Sequence, residues 1–521
     1  MKERLIQSMA WLHTWGGLLP GWLLFVIFFA GTLSCFDKEI SQWMRPSTHA
    51  VAQNGGGFSF DRSLRLVEEI APETSSIWLR APMERDPLPI IGWNNAGQEF
   101  DYHYLQADGG TVLQNNTRGG DLFFRLHYRL DIPNDLGVFL VGFAGMCMLV
   151  ALVTGVIIHR RIFKDFFTFR PKGSKQRAWL DAHNVSSVLP LPFHLVITYT
   201  GLVIFFLTYF PAGMHSAFGG DEEKFYKAAE GGFHREAGGR PAPLHALDPL
   251  VARAEQEWGD GQKALWVNIE HPGDSNAVVV VWRAQPKDEI AWISDAVYFD
   301  GVSGAVLHRL EPAGIGHHIE HFLSGLHFAQ FGGQTIRWLY LFMGLSGCLM
   351  IASGMGFWIE KRRQRHVLSN AAAGFFLVRG LNAAAITGLI IASAVYLLSN
   401  RLLPAGVDHA AWELGLFYFS WIAASLHALA RAKSQRLWTE QLWTAAILWG
   451  SIPLINLLTT DNSHLLATLP AGQWSLAGVD LMAILFGLSL GAVAWKLRHK
   501  KMHELESAGA GVLLAPRERQ S

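Results

Sequence analysis

The sequence predicts an α-helical membrane protein of about eight spans, in which a duplicated four-helix core carries two small α+β domains outside the bilayer. Three observations lead there. Eight apolar windows are each long enough to cross a hydrocarbon layer of ~30 Å as a helix. One pattern of residues recurs at a fixed offset, and basic residues gather at alternate loops. The composition agrees: 50% of the 521 residues are hydrophobic and 17% charged, with 20 Trp and 33 Phe, so apolar surface is too abundant for an ordinary soluble domain. Zero formal net charge supplies no basic field for nucleic acid, and that class of partner is excluded.

Residues 1–35 hold span 1, at about 12–34, behind Lys2 and Arg4. The run exceeds a typical signal-peptide core and no A-x-A-like site follows, so it reads as an uncleaved anchor. Residues 36–126 are polar. Within them 58–79 reads as a short helix followed by a strand, and "YLQADGGTVL" (104–113) alternates into a Gly-containing turn as a β-hairpin does. Residues 127–210 hold spans 2 and 3 (136–158 and 186–210), separated by Arg160, Arg161, Lys164, Arg170, Lys172, Lys175 and Arg177. The first three spans contain no Asp, Glu, Lys or Arg.

Residues 211–326 form a second polar segment. Here 245–267 again reads as helix then strand, and "YFDGVSGAVL" (298–307) as a hairpin. Residues 327–365 hold span 4 (335–359), which exits through Lys361, Arg362, Arg363 and Arg365. Residues 366–500 hold spans 5 to 8 (380–399, 411–430, 440–459 and 475–495), and 501–521 form a tail. Every basic cluster falls on one side if both termini are cytoplasmic, which leaves both polar segments outside the cytoplasm. Asp480 is the one obvious acid well inside a span. Cys35, Cys147 and Cys348 build no disulfide framework, and no C-x-x-C-H motif offers covalent haem attachment.

The repeat is the most informative feature. At an offset of 170, His13 aligns with His183, Leu19-Pro20 with Leu189-Pro190 and Gly31 with Gly201. "RLHYRL" ahead of span 2 and "GLHFAQ" ahead of span 4 repeat a Leu-His-aromatic core at His127 and His327. Both copies enter the membrane in the same direction, so their pseudo-symmetry axis runs along the membrane normal.

Four histidines therefore occupy duplicated positions: His13 and His183 at the cytoplasmic ends of spans 1 and 3, His127 and His327 at the outer ends of spans 2 and 4. For any single one, an interfacial histidine is the ordinary explanation. Four together point to metal, because an imidazole in a low-dielectric layer must be hydrogen-bonded or ligated. Two imidazoles from facing helices suit haem iron, whereas zinc usually takes four ligands, or three and water. The expectation is two bis-histidine haem b sites. Arg125 and Arg129 flank His127 and are candidates to pair with haem propionates. His194 is a candidate alternative ligand to His183. "HHIEHFLSGLH" (317–327) places His317 and His321 on one helical face at a metal-compatible spacing, a candidate iron-handling face for which an amphipathic lead-in is the plainer reading.

"WLHTWGGLLPGWLLFVIFFAGTL" (11–33), "RLHYRL", "LDAHN" (180–184) and "GLHFAQFGG" (325–333) together make residues 1–365 resemble the PepSY-associated transmembrane-helix family, which includes iron-regulated inner-membrane proteins and siderophore-iron reductases of Gram-negative bacteria. The resemblance implies PepSY-like domains facing the periplasm, haem on the four duplicated histidines, a bacterial inner-membrane location and electron delivery to a ferric siderophore or other ferric chelate. Many members stop after four helices, so 366–521 falls outside what it implies.

The expected activity is a transmembrane electron conduit acting as a ferric-chelate reductase. No G-x-G-x-x-G lies between a strand and a helix, so electrons come from a cytoplasmic reductase or from quinol. His427 and Trp443 are candidate quinol-site residues in spans 5 to 8. A periplasmic iron-binding protein is a further candidate partner. The alternatives are a haem-free scaffold or regulator built on the PepSY-like domains, and a component of an iron-siderophore transporter.

Overall fold

The computed structural model describes residues 2–49, 57–94, 101–113, 117–159, 170, 174–221, 224–225, 228, 231–259, 261–292, 295–310, 314–367 and 372–513. The basic cluster of Arg160, Arg161, Lys164 and Lys172, and the end of the tail from 514 on, lie outside the described residues. The chain divides into two units: Met1–Pro20, Ile27–Phe167 and Val185–Cys348 form the first, and Gly21–Val26, Thr168–Asn184 and Leu349–Ser521 the second.

Among the described residues six helices are long and apolar enough to cross a membrane, or eight if two bent pairs each count as one span. The bent pairs are α1 (Lys2–Leu18) with α2 (Gly21–Ser34), and α7 (Lys175–Val188) with α8 (Leu191–Ile204). Spans 1 and 3 are thus not the continuous helices expected of them. They turn by 58° and 64°, at the repeated Leu-Pro steps. Pro20 and Pro190 lack the N–H that the ladder needs and their rings clash with the preceding turn.

In the first unit the part of α2 from Ile27 on leads through α3 (Asp37–Trp43) to the first polar segment: α4 (Phe60–Ile70), β1 (Ser76–Arg80), β2 (Ile90–Asn94) and β3 (Asp101–Tyr104). Next come α5 (Asp121–Arg129) and α6 (Leu136–Ile158). The second segment gives α9 (Leu247–Trp258), β4 (Ala264–Glu270), β5 (Val278–Arg283), β6 (Ala296–Asp300), β7 (Val306–Leu310) and α10 (Gly314–Phe328), which leads to α11 (Gly333–Val367). Helix then strand appear at both places where the sequence repeats them, and both expected turns form: β6 and β7 pair, and an isolated bridge joins Leu105 to Val112. Gly109 and Gly304 take positive φ in these turns, which a Cβ would oppose.

The two segments do not build two sheets. One antiparallel sheet runs β3-β2-β1-β4-β5-β6-β7, joined where β1 pairs with β4 from Ser76↔Glu270 to Arg80↔Trp266. Each half would leave β1 or β4 as an open edge, and pairing the two edges removes both. Phe60, Leu64 and Val67 of α4 and Leu247, Leu250 and Val251 of α9 share one buried core with Ile77, Leu79, Val267 and Ile269. The helix starts are locked reciprocally. Asp248 accepts from Ser59 Oγ at 2.6 Å and Phe60 N at 2.9 Å, while Asp61 accepts from Leu247 N at 2.6 Å and Asp248 N at 3.2 Å. Asp61 and Asp248 hold matching places in "FSFD" and "HALD", so one repeated aspartate satisfies the orphan donors of the other copy's helix.

A half-buried triad ties this sheet region to the helices. Glu39 on α3 accepts from Arg85 at 2.8 and 3.1 Å and from Arg337 of α11 at 2.6 Å. Burial pushes the Glu39 carboxyl up, but the Arg85 hydrogen bond and charge, with Arg337, outweigh it and hold it below its usual value. Its folded-state value is depressed, so the stabilisation is present above the unfolded value, about 4.3, and is lost as pH falls through the folded one. Glu39→Ala leaves the buried Arg337 guanidinium without its carboxylate, while half-buried Arg85 keeps Asp37 and the Cys35 carbonyl, and is expected to cost about 3 kcal/mol, read as a lowered denaturation midpoint in detergent.

The second unit holds α12 (Ala372–Ala383), a π-helical turn (Ala384–Gly388) and α13 (Leu389–Leu402), which together make one span, then α14 (His409–Ala430), α15 (Leu437–Thr459) and α16 (Trp474–Leu513). Indole donors meet carbonyls around the π turn, Trp421 Nε1 on Ala384 O and Trp449 Nε1 on Ile390 O, both at 3.0 Å. Leu458 is 72% and Phe419 70% exposed, surface that suits lipid and not water.

A buried polar knot closes one end of this bundle. Arg401 Nε donates to Asn456 Oδ1 at 2.8 Å and Asn400 Nδ2 to Glu413 Oε1 at 2.6 Å, while Asn456 Nδ2 reaches Asp480 Oδ2 at 2.9 Å. Arg401 also donates to Asn400. Asp480 is therefore not the lone intramembrane acid, since Glu413 is equally buried. Arg401→Met leaves both acids without their guanidinium, and a loss of about 3–5 kcal/mol is expected in thermal unfolding of the detergent-solubilised chain.

Candidate functional site

Each of the four duplicated histidines meets a neighbouring helix in the same way. His13 donates from Nδ1 to the Ala151 carbonyl at 2.9 Å, with Thr154 Oγ1 at 3.3 Å. His127 Nδ1 donates to Ile27 O at 2.9 Å, and His183 Nδ1 to Met350 O at 2.8 Å. His327 Nδ1 lies 3.0 Å from Thr200 Oγ1. That hydroxyl's one hydrogen goes to the Val196 carbonyl at 2.8 Å, so it accepts from the ring. A carbonyl oxygen can only accept. In all four rings Nδ1 therefore carries the hydrogen, and Nε2 is left with its lone pair. Fixing the ring through its other nitrogen is how metal-ligating histidines are oriented.

Beneath each ring is a glycine. A Cβ added at Gly31 would lie 2.5 Å from His127 Nδ1, and one at Gly201 2.8 Å from His327 Cε1. At Gly155 it would lie 3.2 Å from His13 Cε1, and at Gly354 3.1 Å from His183 Cε1. Only a side-chain-free position lets the imidazole settle on the helix surface and reach the backbone. Ile27, Ala151 and Met350 each stand four residues before the corresponding glycine, one helical turn away. Sequence reasoning aligned Gly31 with Gly201 but assigned them no role. Gly155 and Gly354, each preceded by a hydroxyl residue, Thr154 and Ser353, were missed.

His127 and His327 are brought together. Their ring centroids are 5.8 Å apart and the planes 22° from parallel. That is too far for direct stacking and close to the ~6 Å expected when one metal ion bonds a nitrogen of each ring at roughly 2.0–2.1 Å. The chain turns sharply just beyond both residues, with Leu130 and Ala329 in the left-handed region, an uncommon state for non-glycine residues that surrounding structure must hold. All four rings are half-buried, so each keeps an accessible edge. His13 lies in the first unit and His183 in the second, each with its own glycine and carbonyl.

The other sequence candidates fall differently. His194 is fully buried, turns Nε2 toward Met343 O at 3.4 Å and leaves Nδ1 without a hydrogen-bond partner, unlike the other four. Its place in the first copy is Leu24, so the repeat does not duplicate it. Arg125 donates to Asp131 at 2.8 Å. Burial opposes its charge, but Asp131 outweighs burial and holds the guanidinium above its ordinary value. Arg129 donates to the Ile132 and Asn134 carbonyls, both at 3.0 Å, and so keeps its charge for an anionic group. His427 lies 3.5 Å from Glu440 and 3.3 Å from Gln441 Nε2, while Trp443 Nε1 is buried without a partner. His317 and His321 are stacked, with centroids 3.8 Å apart. Among the described residues no three His, Cys, Asp or Glu side chains converge to hold a metal ion. A paired-imidazole site is therefore the coordination chemistry this donor set offers, and it suits haem, whose porphyrin supplies the remaining ligands.

A family model described as "PepSY-associated TM region" matches residues 10–361, which covers both copies of the repeat and stops before α12. An uncharacterized protein of Pseudomonas aeruginosa is 27% identical over 392 residues, which is 72% of this chain and 94% of that relative.

Proposed function

The chain belongs to the family of the PepSY-associated TM region, and from that premise we propose that it is an inner-membrane dihaem electron conduit that reduces ferric iron, in a siderophore or another chelate, on the periplasmic side. The observation that carries the reading is the four-fold recurrence of one arrangement: Nδ1 bound to a helix, a glycine beneath the ring, and Nε2 left unprotonated.

His127 and His327 would hold one haem. His13 and His183 carry the same local arrangement and are assigned the same role on the strength of the repeat. Haem held in this way supplies one-electron transfer without proton bookkeeping at the ligands. The residues contribute orientation and electronics. The backbone carbonyls fix the tautomer and make each imidazole a stronger donor, and Thr200 does so through its hydroxyl. Arg129 follows His127 by two residues, and its charge, which its carbonyl partners do not neutralise, would suit a propionate.

Reduction releases iron because Fe(III) is the harder ion and binds the oxygen donors of a chelate more tightly than Fe(II) does. One electron arrives from quinol or a cytoplasmic reductase for each iron reduced. The test is a reduced-minus-oxidised absorption spectrum of the purified protein with haem quantified per chain. A b-type spectrum with two haems is expected, and a colourless protein removes the reading.

A further inference from the structure

Helix α10 carries a second constellation that the paired histidines do not use. His317, Glu320 and His321 occupy i, i+3 and i+4, one face of the helix. The His317 and His321 rings stack at 3.8 Å with planes 26° apart, whereas His318 is edge-on to His317 at 6.1 Å.

The tautomer of His321 is set by its surroundings. Its Nδ1 lies 2.6 Å from the Trp292 carbonyl, and the Trp292 N–H returns a bond to the His321 carbonyl at 2.8 Å. The carbonyl only accepts, so Nδ1 is the protonated nitrogen and Nε2 presents its lone pair. Nε2 then stands 3.4 Å from Glu320 Oε2, a second acceptor. The other carboxylate oxygen is held by Ser324 Oγ at 2.5 Å, which keeps the carboxylate in place. The two facing groups are held together by a cation, either a second proton on the ring or a metal ion that takes its place. Elsewhere on this helix Ile315 is 79% and Ile319 54% exposed.

We propose that α10 bears a binding site for a transition-metal ion, with the imidazoles of His317 and His321 as its protein donors, Glu320 as the neighbouring charge, and water or chelate oxygens in the remaining positions. Imidazole donors suit borderline ions such as Fe(II), Cu(II) and Zn(II), and exclude a dedicated Mg or Ca site. Two protein donors give a labile site, fitted to an ion that arrives and leaves and not to one that is stored. His321 lies six residues before His327 on the same helix, a rise of ~9 Å. Metal binding stands without the haem reading, but a role in receiving iron beside the outer pair rests on it.

The test is Cu(II) titration of the full-length protein in detergent, followed by electron paramagnetic resonance, because Cu(II) binds such donors most tightly among the divalent first-row ions. One ion per chain with nitrogen hyperfine structure is expected. The double variant H317A/H321A is expected to lose it, E320Q to weaken it by about tenfold, and H318A to leave it unchanged. Unaltered binding in H317A/H321A, or equal loss in H318A, overturns the site. Haem absorption recorded on the same samples separates the two readings. Loss of the copper signal with full haem content concerns α10 alone, and a colourless protein that still binds copper concerns the haem assignment alone.

Discussion

His327→Ala is expected to yield a folded protein with about one haem per chain in place of two, and with ferric-chelate reduction abolished. His127→Ala is expected to do the same, because the two rings face one another at 5.8 Å and neither has a spare partner of its kind within the pair. The remaining b-type spectrum belongs to the other pair, so its amplitude falls by roughly half while its band positions hold. His194→Ala serves as the control. That ring is fully buried with Nε2 turned to a carbonyl, so its loss is expected to lower stability and to leave haem content at two. Quantified haem per chain and steady-state reduction of a ferric chelate by the same preparations read both effects. Unaltered haem content in either outer-pair variant overturns the pairing.

Gly31→Ala and Gly201→Ala are expected to disable the outer pair without touching a ligand. A methyl at Gly31 would sit 2.5 Å from His127 Nδ1, and one at Gly201 2.8 Å from His327 Cε1, distances at which a ring must move. The ring cannot back away and keep its bond to Ile27 O or Thr200 Oγ1, so position and tautomer are lost together. Losses of this kind cost about 10- to 100-fold in affinity at other metal sites. The variants are expected to purify with the outer haem partly occupied and to regain it when hemin is added in excess. Gly16→Ala, where an added Cβ meets nothing within 4 Å, should behave as the parent protein. If Gly31→Ala retains both haems at parent affinity, the glycine is a packing residue and nothing more.

Much of this architecture was legible in the chain. Spans 2 and 4 to 8 appear where long apolar runs place them, because in lipid a helix alone can satisfy its backbone. The helix-strand units at 58–79 and 245–267, and the turns at Asp108-Gly109 and Ser303-Gly304, follow from local pattern and turn chemistry. The Leu-Pro repeats are visible too, but an unbroken apolar run carries no mark of the bends that those prolines impose.

The sequence by itself set out the apolar runs long enough to span a membrane, the repeated motifs and the positions of the four histidines within them, since hydropathy, proline placement and motif spacing are written along the chain. The tertiary structure alone decided that β1 and β4 join two polar segments into one sheet, that His127 and His327 meet, and that Asp61 and Asp248 cap each other's helices. It also decided that each imidazole rests on a glycine of another helix. The physical reason is that edge pairing, reciprocal capping and a close helix approach are contacts between distant residues, satisfied only after the chain has folded, and no local propensity records which partner each group will find.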